Sequence, residues 1–133
     1  WTHLQNDPLL VILPPDSQLR GRSSLDVHCL EGQDFLMPSP GFHLDIMQAL
    51  GEVKPNFRET HVSDNVIISM VEHGLGVSIL SELVLKGRRD NVVALPLDPP
   101  AARELGIAVR SKKELRPMVR RFITETKEIL ESI

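Results

Sequence analysis

The stretch VIISMVEHGLGVSIL, residues 66–80, predicts a helix that ends at a glycine and leads into a buried strand. Ser63 stands where an N-cap would begin this helix, and Gly74 stands where a C′ glycine would end it. The apolar side chains on one face of the helix are Val66, Ile67, Met70 and Val71. Of these, Ile67 and Met70 are expected to lie in the hydrophobic core.

The two glycines of this stretch, Gly74 and Gly76, resemble part of a phosphate-binding loop at first sight. A dinucleotide fingerprint has a third glycine, and it follows a strand and precedes a helix. Here the order is reversed, with the helix first. We therefore interpret Gly76 as a close approach between two backbone segments, and we expect no nucleotide and no other cofactor.

Apolar runs on both sides of this stretch predict further strands. They lie at residues 9–13, 35–37, 57–62, 91–97 and 105–109. The first is a continuous apolar run closed by two prolines, which is typical of a strand buried on both faces.

Two further helices are predicted from apolar residues at helical spacing. In the first, Leu44, Met47 and Leu50 recur before Gly51. The second closes the chain, and its start is open between a capping box of Ser111 with Glu114 and a proline at residue 117. Strands and helices that alternate in this way predict an α/β fold with a largely parallel sheet.

Composition narrows the classes of function. The 133 residues are 41% apolar and 25% charged, as in an ordinary globular domain, and the net charge of −3 argues against a nucleic-acid-binding surface. Cys29 is the single cysteine and the five histidines lack the i, i+4 spacing of a helical metal site, so we expect no metal. No apolar run approaches the roughly 18–20 residues that span a bilayer. With no export signal visible, we expect a cytoplasmic location and no membrane partner.

Two strand-to-helix corners are the candidate binding site. The first follows the strand at residues 35–37 and contributes Ser39, Gly41, Phe42 and His43. Ligands of α/β sheets bind at such corners, because helix N–H groups and the positive end of the helix dipole converge there. A hydroxyl, backbone amides and an aromatic ring could bind a carboxylate and stack on the ligand. A plain turn capped by serine is the alternative.

The second corner, residues 60–65, begins in the last residues of the strand predicted at residues 57–62. It contributes Thr60, Ser63 and Asn65 as polar side chains. If the two strands are neighbours, both corners open on the same edge of the sheet.

The order of these motifs resembles the effector-binding region of LysR-type transcriptional regulators. Residues 7–19, DPLLVILPPDSQL, are similar to the strand and P-x-x-H-P-L turn of that family, with Ser17 and Gln18 in place of His-Pro. Residues 66–80 resemble its lVaaGlGialLP segment, with Ser81 where proline is common. Residues 95–110, followed by Phe122, resemble its closing pattern.

The resemblance implies a type II periplasmic-binding-protein-like fold with two α/β lobes. On this basis we expect a first crossover strand at residues 1–13 and a complete distal effector-binding lobe at residues 14–76. Residues 77–133 would hold the return crossover and the closing part of the proximal lobe. The region would then be truncated at its N-terminal side.

The resemblance also implies a function: this chain senses a small-molecule effector, expected to be a small anion, and couples binding to control of transcription. Contact with DNA would require an N-terminal helix-turn-helix domain absent from this sequence. We expect a homo-oligomer and no enzymatic activity, because neither corner offers a carboxylate–histidine pair for acid–base chemistry. The alternative is an enzyme or a stand-alone small-molecule-binding protein with the same two-lobed fold.

Overall fold

The computed structural model describes residues 1–88, 91–110 and 116–132, which contain seven strands, four α-helices and two 3₁₀ helices. The strands are β1 (Thr2–Leu13), β2 (Leu25–Asp26), β3 (Asp34–Met37), β4 (Asn56–Glu59), β5 (Ser78–Ser81), β6 (Val93–Asp98) and β7 (Ala102–Ile107). The α-helices are α1 (His43–Leu50), α2 (Asp64–Glu72), α3 (Glu82–Leu85) and α4 (Pro117–Glu131). Every predicted strand and helix is present, although β2 follows β1 directly and β7 follows β6 directly. No helix among the described residues is long and apolar enough to cross a membrane.

The chain divides into two compact units. The larger unit is Pro8–Arg103, and the smaller consists of Trp1–Asp7 with the described residues of Glu104–Ile133. The predicted boundary after residue 76 falls inside the larger unit, because β5 pairs with β1 there, from Leu9↔Ser81 to Ile12↔Ser78. The chain therefore passes between the units within β1 and again within β7.

The sheet of the larger unit is mixed, which corrects the prediction of a largely parallel sheet. β1 pairs antiparallel with both β5 and β6, and β2 pairs parallel with β6. β3 and β4 form a separate parallel pair. A buried apolar run indicates that both faces of a strand are covered, and it carries no information on the direction of the neighbouring strands.

The hydrophobic core of the larger unit includes residues 9–13 of β1 and most of β3. In α2 the buried residues are Ile67, Ile68 and Val71, which confirms Ile67 as core. Met70 is only partly buried and packs against the rim of the core. The inward face is therefore shifted from the predicted one toward Ile68, and Val66 is exposed.

The prediction for α1 errs in the same way. Ile46 and Leu50 are its buried residues, whereas Leu44 is 68% exposed. Ile46 and Leu50 are four residues apart, and that spacing also places side chains on one face of a helix. Gly51 ends the helix with φ of 58°, as expected of a C′ glycine.

The smaller unit contains α4, which begins at Pro117. The alternative start at Ser111 and Glu114 lies outside the described residues. Ile123 is the buried residue of this helix, while Met118, Phe122 and Ile129 are exposed. The predicted apolar face of α4 is thus only partly covered within the unit.

Candidate functional site

The two predicted corners come together because β3 and β4 are parallel neighbours. Their register runs from Asp34↔Asn56 to Met37↔Glu59, so both strands end side by side. Beyond these ends lies a cavity of about 470 Å³. Its lining residues are Met37, Pro38, Ser39, Pro40, His43, Glu59, Thr60, His61 and Val62.

Backbone and side-chain hydrogen bonds fix the conformation of the two corners. The Thr60 hydroxyl donates to the carbonyl oxygen of Met37 at 3.0 Å, which ties the second corner to the end of β3. The backbone N–H of Phe42 donates to the carbonyl oxygen of Ser39 at 3.0 Å and closes the 3₁₀ turn Pro40–Phe42. Met37 and Pro38 are buried, so the floor of the cavity is anchored in the core.

Three of the seven predicted site residues line this cavity: Ser39, His43 and Thr60. Phe42 does not, because the 3₁₀ turn directs its ring into the core, where it is 3% exposed. The guanidinium of Arg103 lies 4.6 Å from the centre of that ring. Phe42 therefore anchors the turn to the core, and its ring is not available to stack on a ligand in the cavity.

The other predicted residues lie elsewhere. Gly41 and Ser63 are exposed and outside the lining, and Ser63 precedes α2 without a side-chain capping bond. Asn65 lines a separate cavity of about 240 Å³. Once a helix begins, its successive residues turn away from the corner by about 100° each, so residues beyond the first helical position leave the site.

Several lining residues were not among the predicted site residues. Glu59 is the last residue of β4 and faces the cavity only because of its register opposite Met37. His61 and Val62 follow directly, and their place beside Thr60 was the one signal in the sequence that could have selected them. Strand ends, more than helix starts, supply the polar groups here.

Apart from Thr60, whose hydroxyl is bonded to Met37, the polar side chains of the cavity are uncommitted. Among the described residues, no hydrogen bond or ion pair engages the side chains of Ser39, His43, Glu59 or His61. Neither lysine nor arginine is among the lining residues. The arrangement can bind a small polar molecule through hydrogen bonds, and the described residues contain no group of three potential metal ligands.

A second cavity of about 540 Å³ lies at the other end of β3 and includes Ser17, Cys29 and Asp34 in its lining. Its polar groups are largely engaged within the protein. The Ser17 hydroxyl accepts from the Leu19 N–H at 3.2 Å, and the Asp34 carboxylate pairs with Arg58 at 3.5 Å. We therefore take the first cavity as the candidate site.

The Cys29 thiol of this second cavity accepts an N–H from Arg22 at 3.4 Å. Nearby, the backbone N–H and the ring of His28 hold the pKa of the Asp26 carboxyl below its ordinary value. This carboxylate belongs to the cap of the 3₁₀ helix Val27–Leu30 and is exposed to solvent. Its role is local structure.

The chain is similar to known proteins in both sequence and structure. Residues 1–131 match the sequence profile of the family described as LysR substrate binding domain. An uncharacterized HTH-type transcriptional regulator of Bacillus subtilis, YvbU, is 30% identical over 97% of this chain. The regulatory domain of Synechocystis PCC6803 CcmR, solved in complex with 2-PG, superposes with a TM-score of 0.79 at 21% identity, over 98% of this chain and 66% of that one.

The effector-binding domain of QuiR, solved in complex with shikimate, superposes with a TM-score of 0.77 at 16% identity, over 98% of this chain and 65% of that one. These likenesses confirm the predicted type II periplasmic-binding-protein-like α/β fold. This chain spans 46% of the length of YvbU, so it corresponds to about half of that regulator.

Proposed function

Because this chain belongs to the family of LysR substrate-binding domains, we propose that it senses a small-molecule effector for a longer transcriptional regulator. The observation that carries the proposal is the cavity beyond β3 and β4, where uncommitted polar side chains surround an apolar floor. A cavity of about 470 Å³ is within the usual range of small-molecule sites. Curated relatives described as HTH-type transcriptional regulators support the regulatory role.

The effector in this proposal carries an anionic group. The Ser39 hydroxyl and the ring nitrogens of His43 and His61 can donate hydrogen bonds to a carboxylate. In the longer protein the binding signal would reach DNA through a separate helix-turn-helix domain, acting in the cytoplasm. Such coupling requires that the effector binds one conformational state of the regulator more tightly than another.

The two compact units are proposed to correspond to the two lobes of the family fold, with Pro8–Arg103 as the distal lobe. β1 and β7 would then be the strands that connect the lobes. This proposed division differs from the one after residue 76 that the sequence predicts.

Replacing Ser39 with alanine is expected to weaken effector binding by about 1 kcal/mol, the usual net contribution of one hydrogen bond. A thermal-shift screen of small carboxylates would identify a ligand, and titration calorimetry would then compare the variant with the parent. Ser23→Ala is the matched control, because Ser23 is exposed and outside the cavity. Unchanged affinity in Ser39→Ala would make Ser39 a turn residue only.

We also propose that the chain associates with a second copy through α4. Its Met118 and Phe122 are 84% and 63% exposed, and exposed apolar side chains on one helix favour association. Light scattering is expected to give a mass above the 14.9 kDa of one chain, and Phe122→Asp is expected to return it to that value. A parent protein that already scatters as a single chain would contradict this part of the proposal.

A further inference from the structure

We infer that the effector is a small zwitterion of the amino-acid class, with an ammonium group that binds Glu59 and a carboxylate that binds the donors around it. The inference rests on the proposed function, because it specifies the ligand of the same cavity. It comes from the placement and charge of one side chain, Glu59.

Glu59 faces the cavity, and the neighbouring Arg58 points to the opposite face of the same strand. Successive side chains of a strand point to opposite faces, so Glu59 shares a face with Phe57, and Arg58 lies on the other. The Phe57 ring packs edge-on against Phe35 at 5.6 Å between centroids, which fixes that face. On the opposite face, Arg58 pairs with Asp34 at 3.5 Å. Arg58 therefore does not neutralise Glu59.

The remaining lining offers Glu59 no positive partner either. Neither lysine nor arginine lines the cavity, and among the described residues the Glu59 carboxylate forms no hydrogen bond or ion pair. A ligand with only negative groups would place like charges side by side, which disfavours binding. A ligand ammonium placed at Glu59 would remove that cost and would form charge-assisted hydrogen bonds.

The remaining polar side chains of the cavity can bind the carboxylate end of such a ligand. Ser39, His43 and His61 can donate hydrogen bonds, and they line the same cavity as Glu59. Met37, Pro38 and Val62 supply apolar surface for a carbon skeleton. A carboxylate acceptor, an apolar middle and an ammonium donor are the parts of an amino acid.

The test uses the whole chain and matched sets of probes. The standard L-amino acids are titrated, each beside the carboxylic acid that lacks its amino group and the amine that lacks its carboxylate. At least one amino acid is expected to bind about tenfold more tightly than either of its two partial analogues. Glu59→Gln should lose that factor for the amino acid, because a hydrogen bond to a charged group contributes about 1.5 kcal/mol or more, which is roughly tenfold in affinity.

Control measurements separate the possible outcomes. Glu52→Gln removes an equivalent exposed carboxylate outside the cavity and should bind like the parent protein. If carboxylic acids bind the parent as tightly as their amino acids, and Glu59→Gln improves their binding, the zwitterion inference is wrong while the proposed function stands. If no compound of the three classes binds and a mixed pool of small metabolites produces no thermal shift, both are wrong.

Discussion

Replacing Phe35 with alanine is expected to lower the free energy of unfolding by about 3–5 kcal/mol, the range for removing a large aromatic side chain from a closed core. Phe35 lies in the middle of β3 and is fully buried. Its ring packs edge-on against Phe57, and its backbone forms a parallel bridge with Val77. The substitution would leave a cavity between β3, β4 and the segment that leads into β5. Because these three segments are held against one another, none of them can move far enough to fill the cavity.

Urea denaturation followed by far-ultraviolet circular dichroism would measure this loss. Leu44→Ala is the control, because Leu44 is an exposed apolar residue on α1 and its truncation should change stability by less than about 0.5 kcal/mol. A Phe35→Ala midpoint equal to that of the parent would show that β3 is not the central strand of this core. Since β3 ends at the cavity, the same variant should also bind effector more weakly.

The sequence predicted the positions of elements well because their signals are local. The apolar run at residues 9–13, the glycine at residue 51 and the proline at residue 117 each constrain the backbone within a few residues. The faces of α1 and α2 were less accurate, because Leu44 and Val66 are apolar residues that the fold leaves exposed. An apolar side chain at the edge of a helical stripe does not by itself decide which face is buried.

The site was predictable to the level of its two corners. Ser39 and Thr60 were selected because each lies where a predicted strand leads into a helix, and the structure places both at one cavity. Glu59 was missed because it lies within β4, and only the pairing Met37↔Glu59 brings it to the same edge. Strand register depends on contacts between residues more than twenty positions apart, and no local pattern encodes it. The inward turn of Phe42 likewise depends on the core it enters.

The close approach predicted at Gly76 leads to the second large effect on stability. A Cβ atom at this position would lie 2.8 Å from the carbonyl oxygen of Asp34 and 3.2 Å from Cγ of Leu36. That carbonyl oxygen already accepts the Val77 N–H at 2.9 Å, and the Leu36 N–H donates to the Val77 carbonyl oxygen at 2.8 Å. Two hydrogen bonds of Val77 therefore hold the two backbone segments together directly beside Gly76, and neither segment can move away without breaking one of them.

Gly76→Ala is expected to lower the free energy of unfolding by about 3 kcal/mol, at the upper end of the usual cost of overpacking, because backbone atoms must move. Gly74→Ala is the matched comparison: its φ of 78° is unfavourable for alanine but a Cβ there meets open space. That variant should lose only about 1–2 kcal/mol, the cost of a left-handed conformation at one residue. Urea denaturation of both variants ranks them. If Gly74→Ala is the more destabilised, backbone conformation and not the contact with Asp34 is the reason for glycine in this segment, and β3 can shift without losing its pairing with Val77.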